Sequence, residues 1–344
     1  MNETSHITPP PAPPSAFRQA LPWTIKVVVS GGLLYLLLRQ NPAQLWQILR
    51  GASVPWLAFA FALQVVIVLV SVWRWRLLLH AQHLDFPFRT VLGSYLVASF
   101  FNNFLPSNIG GDVIRIGDTA KQAGSKTLAA MIVFVDRGIG LLGLVFVAAL
   151  GSTMAARVSD RFGPVGPGIL WTLLGGAIAV AALAVLMPHA VAATLRPLRA
   201  LHQEWVEERI ERLTGALSKF RDAPGSLLSG FFAAVVVQGL LVVFYVGIAN
   251  SLHLPIPLAH LAIVVPLSLI VQMLPISLGG LGVREATFAL MLKQLSGLPN
   301  ASGIALSFLG AMMIMLFSLS GAVALLARKR SRASGAARRP STSA

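Results

Sequence analysis

The hydrophobic positions of this chain are gathered into long uninterrupted runs. Runs near the roughly 20 residues that a helix needs to cross a bilayer recur from one end of the sequence to the other. The first run is followed by a polar segment without a small-residue cleavage site, which favours a membrane helix over a signal peptide. The pattern predicts spanning helices at about Leu21–Leu38, Pro55–Leu79, Thr127–Leu150, Gly168–Met187, Leu227–Asn250 and Ala301–Leu326.

Two further apolar stretches are interrupted by polar residues, proline and glycine, at residues 102–112 and 275–280. The two interruptions align without gaps, with Pro275 following Pro106 by 169 residues (275 − 106). The same offset superimposes the flanking helices. Each half of the chain is therefore predicted to contain helix, helix, broken segment and helix.

The distribution of basic residues predicts how these elements cross the membrane. If each broken segment enters and leaves on one face, each half crosses three times, and the basic 188–226 loop and the C-terminus lie inside with the N-terminus. Three crossings turn the second half upside down, so the broken segments enter from opposite faces and meet near the midplane. We predict an all-α polytopic membrane protein of two inverted repeats, with about six spanning helices plus two broken re-entrant segments.

The predicted domain organisation is a single membrane unit between two polar ends, in the cytoplasmic (inner) membrane with both termini cytoplasmic. Between the two halves, residues 196–222 mix acids and bases at helical spacing, which is typical of an interfacial amphipathic helix. The predicted units are a disordered Pro-rich tail (1–20), a transmembrane domain (21–328) with halves at about 21–150 and 168–328, and a basic cytoplasmic tail (329–344).

Composition supports a membrane protein and argues against several other classes. Only 11% of the 344 residues are charged and 56% are hydrophobic, whereas soluble domains carry about 25% charged residues. The net charge of +15 sits between apolar runs and in the tail, so it indicates orientation and attraction to anionic lipid, with no nucleic-acid partner. The absence of cysteine excludes disulfides. His80 and His83 are interpreted as interfacial, Trp73–Arg76 as an interfacial collar, and no metal or cofactor is expected.

Two charges, Asp136 and Arg137, fall about 13 Å into their predicted helix. Each costs roughly 2.5–3.5 kcal/mol at membrane depth unless it is paired. Neighbours in a helix point about 100° apart, so each needs a partner from another element. The charged candidates in the broken segments are Asp112, Arg115, Arg284 and Glu285.

Two interpretations of these charges stay open: a polar cavity whose arginines hold an anionic head group, or a structural ion-pair network. In the first, Arg115, Arg137 and Arg284 attract the head group and Asp112, Asp136 and Glu285 balance it. Prolines and glycines shape the cavity, while asparagine and serine hydrogen-bond the head group or the broken backbone. The candidate substrate-binding residues are Asn103, Pro106, Asn108, Gly110, Gly111, Asp112, Arg115, Asp136, Arg137, Pro275, Ser277, Gly279, Gly280, Arg284 and Glu285.

Three motifs together resemble the lysylphosphatidylglycerol synthase transmembrane family, a group of flippase-like integral membrane proteins. The motifs are the segment 103–115, the run Val135-Asp136-Arg137-Gly138, and the segment 275–285. The resemblance covers about residues 20–328. Bifunctional members fuse this domain to a soluble aminoacyl-transferase, and this chain stops soon after its last helix. We therefore expect it to lack the catalytic half.

The resemblance implies translocation of a lipid, because other stand-alone relatives are associated with export of hopanoids or polyprenyl-linked sugars. The expected function is a flippase or transporter of a phospholipid, polyprenyl-linked sugar or hopanoid, with membrane lipids as partners and no catalytic residues. One alternative is a membrane-embedded transferase with Asp112 or Asp136 as base. Another is a scaffold partner of a cell-envelope lipid-synthesis enzyme.

Overall fold

The structure is a computed structural model, and its described residues are 42–104, 110–157, 166–195, 203–273 and 280–337, with scattered positions at 28, 30–32, 35, 39, 197 and 277. These residues contain helices and no strand, which confirms the all-α prediction. The helices with defined bounds are α1 (Pro42–Arg50), α2 (Val54–His80), α3 (Phe88–Phe104), α4 (Gly110–Ala123), α5 (Lys126–Ala156), α6 (Pro167–Leu186), α7 (Pro188–Leu195), α8 (Gln203–Asp222), α9 (Pro224–Ser251), α10 (Leu258–Met273), α11 (Val283–Ser296) and α12 (Asn300–Ala337).

Five of the described helices are long and apolar enough to cross a membrane: α2, α5, α6, α9 and the part of α12 that ends at Arg328. At about 1.5 Å per residue, even the shortest of them reaches about 30 Å, the thickness of the hydrocarbon core. Five predicted spans are thus confirmed. The sixth, Leu21–Leu38, lies largely outside the described residues. Proline in the first turn of α2, α6 and α9 fixes a helical φ where no backbone donor is lost.

Helices α3 and α4 fold back on each other and form hairpin 1. Near the tip, the Gly111 amide donates to Asn102 Oδ1 at 2.8 Å, and a side chain at Gly111 would collide with the carbonyl oxygen of Ala98. At the other end, Gln122 Nε2 donates to the Asp85 carbonyl oxygen at 3.1 Å. The chain therefore leaves where it entered, so the first broken segment is re-entrant.

Helices α10 and α11 form hairpin 2 in the same way. A Cβ at Gly280 would lie 2.5 Å from Gln272 Cγ, and the φ of Gly280 is +81°, so glycine is required there for two reasons. At the open end, His260 Nδ1 and Ser296 Oγ are 2.8 Å apart. The end of α11 thus lies beside the start of α10, and the second broken segment is re-entrant as well.

The two halves are inverted, because the equivalent helices α2 and α9 run antiparallel. The Ser53 amide at the start of α2 donates to the Ser251 carbonyl at the end of α9 (2.8 Å). At the other end, Gly230 lies against Leu78. Hairpin 1 follows the end of α2 and hairpin 2 follows the end of α9, so their open ends face opposite sides of the molecule.

Each hairpin packs on the last spanning helix of the other half as well as on its own. Helix α3 contacts α12 while α10 contacts α5, and α4 contacts α5 while α11 contacts α12. Glycine allows both crossings: a side chain at Gly321 would collide with the Leu96 carbonyl oxygen, and a Cβ at Gly151 would lie 2.6 Å from Ala262 Cβ. Helices α5 and α12 therefore lie between the hairpins. The predicted meeting of the tips involves segments 105–109 and 274–279, which lie mostly outside the described residues.

Helix α8, which lies between the two halves in the sequence, is amphipathic and packs against helices of both halves. Its buried side chains Ile210, Leu217 and Phe220 make up its apolar side, and it contacts α5, α6 and α9. The amphipathic helix predicted at 196–222 is therefore present as Gln203–Asp222. At the C-terminus, α12 continues to Ala337, so the basic segment after Arg328 begins as an extension of the last helix.

Candidate functional site

Asp136 lies ten positions after the first residue of α5 (136 − 126) and is held by two arginines from other helices. Its Oδ1 accepts from Arg74 Nε at 2.9 Å and its Oδ2 from Arg115 Nη2 at 2.8 Å. Asp136 is only 2% exposed. A single carboxylate at membrane depth therefore ties α2, α4 and α5 together through charge-assisted hydrogen bonds.

Arg137, the next residue, takes a different partner. Its Nη2 lies 2.7 Å from Asp112 Oδ2, and Arg115 Nη1 lies 3.8 Å from Asp112 Oδ1. Two of the four predicted candidates, Arg115 and Asp112, thus pair with Asp136 and Arg137 from hairpin 1, while Arg74 of α2 is a further partner of Asp136. We call these five residues (Arg74, Asp112, Arg115, Asp136 and Arg137) the charge network. Three guanidinium groups and two carboxylates leave it with one excess positive charge.

Arg74 is the member that the sequence did not reveal. An aromatic and basic cluster at a helix end is typical of an interface, but Arg74 and Trp75 are 8% and 2% exposed. Arg74 and Trp75 are therefore buried within the protein and do not face the membrane interface as a collar, while Trp73 is exposed as that interpretation requires. The sequence contains one indication that Arg74 is buried. It follows Ser71 by three positions and precedes Leu78 by four, which places it on the same side of α2 as these two buried residues.

Arg115 also stacks on aromatic rings. Its Cζ atom lies 4.1 Å from the ring centroid of Trp75 and 5.5 Å from that of Tyr95. These are cation–π distances, which suit a guanidinium removed from water. Arg115 is therefore fixed on both sides, by carboxylates and by rings, and its position in the network is rigid.

Arg137 lies at the exposed edge of the network. Its side chain is 42% exposed, against 3–12% for the other members. It follows the first residue of α5, Lys126, by 11 positions (137 − 126), or about 16 Å along the helix. Around it, the apolar side chains of Phe134, Val113 and Leu141 are exposed. A guanidinium group thus reaches an apolar surface at membrane depth.

The second half holds a smaller and closed polar cluster. Glu285 is 1% exposed; its Oε2 accepts from the Gly282 amide at 2.7 Å and its Oε1 from Arg284 Nη2 at 2.6 Å. Ser307 on α12 accepts from Arg284 Nε and donates to Glu285 Oε1. We call this set (Gly282, Arg284, Glu285, Ser307) the capping cluster, because Glu285 caps the start of α11. Among the described residues, its charges do not contact the charge network.

The other candidate residues divide by location. Asn103 Nδ2 donates to the Ser99 carbonyl within its own helix, Gly110 begins α4, and Gly111 and Gly280 occupy the close approaches of the two hairpins. Ser277 is buried. Pro106, Asn108, Pro275 and Gly279 lie outside the described residues.

The fold and these polar clusters define a class: a polytopic α-helical membrane protein of two inverted halves, with a re-entrant hairpin in each and ionised side chains held at membrane depth. Comparison with protein families identifies the group within that class. The family described as lysylphosphatidylglycerol synthase TM region matches residues 23–327, and the chain belongs to this family. No curated protein gives a significant match to the chain.

Proposed function

We propose that the protein moves an amphipathic lipid across or out of the cytoplasmic membrane. The observation that carries the proposal is the half-exposed guanidinium of Arg137 on an apolar surface at membrane depth. An ionised side chain in that position is unfavourable against hydrocarbon and indicates a substrate path or a wet cavity. Membership of a family of membrane domains named for a lipid-modifying enzyme is consistent with a lipid substrate.

The chemistry of the charge network favours a phosphate-bearing head group. A guanidinium group binds phosphate through two parallel hydrogen bonds, and the network carries one excess positive charge. Of the three lipid classes considered, phospholipids and polyprenyl-linked sugars carry a phosphate and hopanoids do not require one. In this proposal Arg137 contacts the head group, whereas Arg74, Arg115, Asp112 and Asp136 orient it and balance its charge.

The inverted hairpins supply a route for alternating exposure. Hairpin 1 and hairpin 2 open on opposite sides of the molecule, and α5, which bears Arg137, lies between them. Inverted repeats with interrupted helices are the arrangement in which secondary transporters expose one site to each face in turn. The proposal gives hairpin 2 and the capping cluster the role of the opposite gate.

We also propose an orientation for the chain. The side on which hairpin 1 opens carries many basic residues, among them Lys121, Lys126, Lys219 and Arg328. Basic residues accumulate on the cytoplasmic side of membrane proteins. The proposal therefore makes this side cytoplasmic, together with the C-terminal end of α12.

Translocation by purified protein in liposomes tests the function. Liposomes would carry a trace of phosphatidylglycerol with a fluorescent tail, and dithionite added outside would bleach the label in the outer leaflet. The wild-type protein is expected to make nearly all of the label accessible. Arg137→Gln is expected to lower the rate at least roughly tenfold, which corresponds to about 1.4 kcal/mol, because the head group loses its charged partner.

The matched control is Arg157→Gln, which removes the same charge at the end of the same helix, where Arg157 is exposed. Arg137→Lys keeps the charge and is expected to retain a measurable part of the activity. If Arg137→Gln folds normally and translocates the lipid as fast as Arg157→Gln, Arg137 has no role in transport. If wild-type protein gives no bleaching beyond that of empty liposomes, the proposed function is wrong for this lipid class.

A further inference from the structure

A second polar site lies beside the charge network, at the open end of hairpin 1. An open cavity of about 450 Å³ lies there between the end of α2, the segment of α12 at Arg328, α3 and α4. Its lining is amphipathic. The polar part includes Arg89, Lys121, Arg328 and Asp118, and the apolar part includes Trp75 and Phe86.

The charges in the cavity leave a positive surplus. Arg328 Nη1 lies 2.7 Å from Asp118 Oδ2, and Lys121 Nζ lies 3.5 Å from Asp118 Oδ1. Three cationic side chains, counting Arg89, face a single carboxylate. Because one acid cannot neutralise three bases, the cavity attracts an anion.

Asp118 stays ionised and therefore fixes the geometry of this site. It belongs to α4, outside the five spanning helices. Partial burial by itself raises the pKa of its carboxyl group. Hydrogen bonds from Arg328 and Ser94, with the charges of Arg328 and Lys121, outweigh burial and bring the pKa below the usual 3.8. At neutral pH the positive surplus is thus two charges.

The apolar part of the lining suits the nonpolar part of a lipid. Trp75 and Phe86 lie beside the basic residues of the cavity, and Trp75 is otherwise buried, with 2% of its surface exposed. A ligand with an anionic group and adjoining apolar atoms would contact both parts of the lining.

We propose that this cavity binds the phosphate-bearing head group of an anionic lipid. The cavity lies at the level where the apolar part of α12 ends at Arg328, which is the depth of lipid head groups. Trp75 lines the cavity and also stacks under Arg115, so the cavity adjoins the charge network. The site is the entrance to the transport path, and this role, unlike the binding itself, rests on the proposed function.

Binding of dioctanoyl-phosphatidylglycerol to purified full-length protein in detergent, followed by thermophoresis, tests the site. The double variant Arg89→Gln/Lys121→Gln is expected to weaken binding at least roughly tenfold, because each basic side chain adds about a fivefold attraction. The matched control is Arg157→Gln/Lys293→Gln, which removes two exposed charges elsewhere and is expected to bind like the wild type. Equal affinity of the two double variants would overturn the proposal.

Two further probes identify the ligand class. Dioctanoyl-phosphatidylcholine, which has no net charge, is expected to bind at least roughly tenfold more weakly than the anionic lipid. Inorganic phosphate is expected not to displace the anionic lipid at equal concentration. Displacement by phosphate would show a site for a free anion and overturn the lipid assignment.

The binding assay and the translocation assay are read separately, so the two proposals can fail independently. Weaker binding by Arg89→Gln/Lys121→Gln than by the control double variant supports the cavity even if the wild-type protein translocates no lipid in liposomes. Translocation by the wild type together with equal affinity of the two double variants would overturn the cavity and leave the proposed function standing.

Discussion

Hairpin 1 and hairpin 2 share one backbone plan but carry different chemistry. In both, two helices meet at a glycine-containing tip, return to the same side and pack on a spanning helix of each half. Hairpin 1 adds a five-member charge network that reaches the apolar surface at Arg137. Among the described residues, hairpin 2 adds the smaller capping cluster, which satisfies its own helix terminus. The repeat thus accounts for the scaffold, and its departure from symmetry locates the candidate site in the first half.

The repeat alignment shows where the symmetry is lost. Arg115 and Arg284 occupy equivalent positions. However, the position equivalent to Asp136 is Ala305 in the second half. Without that carboxylate, Arg284 pairs with its own neighbour Glu285, although adjacent positions on a helix normally point apart.

The two halves are expected to differ most in the free energy of unfolding that is lost when the carboxylate of Asp136 or of Glu285 is removed. Asp136→Ala leaves Arg74 and Arg115 buried without their main partner, and should destabilise the protein by about 3–5 kcal/mol. Glu285→Ala leaves Arg284 with Ser307 still available, and should cost about 1–3 kcal/mol. Equilibrium unfolding in mixed micelles would compare the two free energies.

The control for both is Asp222→Ala, since the Asp222 side chain is 70% exposed and its removal should change the free energy of unfolding by less than about 1 kcal/mol. If Asp136→Ala unfolds at the same denaturant concentration as Asp222→Ala, the charge network does not hold the first half together. If Glu285→Ala is the more harmful change, the proposed asymmetry is reversed.

A smaller and symmetric effect is expected at the helix crossings. Gly151→Ala and Gly321→Ala each force a methyl group against the facing helix, which should cost about 1–3 kcal/mol in either half. Gly138→Ala is the matched control, because nothing lies within 4 Å of its added Cβ. Helix propensity favours alanine there by up to about 1 kcal/mol. If only one of these two substitutions destabilises the protein, the two helix crossings do not contribute equally to stability, although they are packed alike.

The sequence was most informative where the signal is local or repeated. The apolar runs predicted the five described spans, and the gapless match of the interrupted segments predicted two inverted hairpins. The requirement for partners at membrane depth directed attention to Asp112 and Arg115. These inferences need only helix geometry and the cost of burying charge.

The sequence was least informative where a residue's environment comes from a distant helix. Arg74 sits at a helix end among tryptophans, and only the packing of α2 against α5 buries it beside Asp136. Arg284 and Glu285 were equally eligible as partners for Asp136 and Arg137, respectively, and the choice of hairpin 1 depends on which helices touch. The cavity at Arg328 joins residues 210 positions apart, Asp118 and Arg328, and no local pattern predicts it.

Side-specific labelling of single cysteines tests the inverted arrangement most directly, and the chain offers a background without cysteine. Gln122→Cys and Gln294→Cys would each place one thiol at an exposed position near the open end of hairpin 1 or hairpin 2. Ala60→Cys, fully buried, is the unlabelled control. With a membrane-impermeant thiol reagent, the account predicts that Gln122→Cys reacts only from the cytoplasmic side and Gln294→Cys only from the opposite side. Labelling of both from one side would contradict the inverted repeat and the transport path built on it.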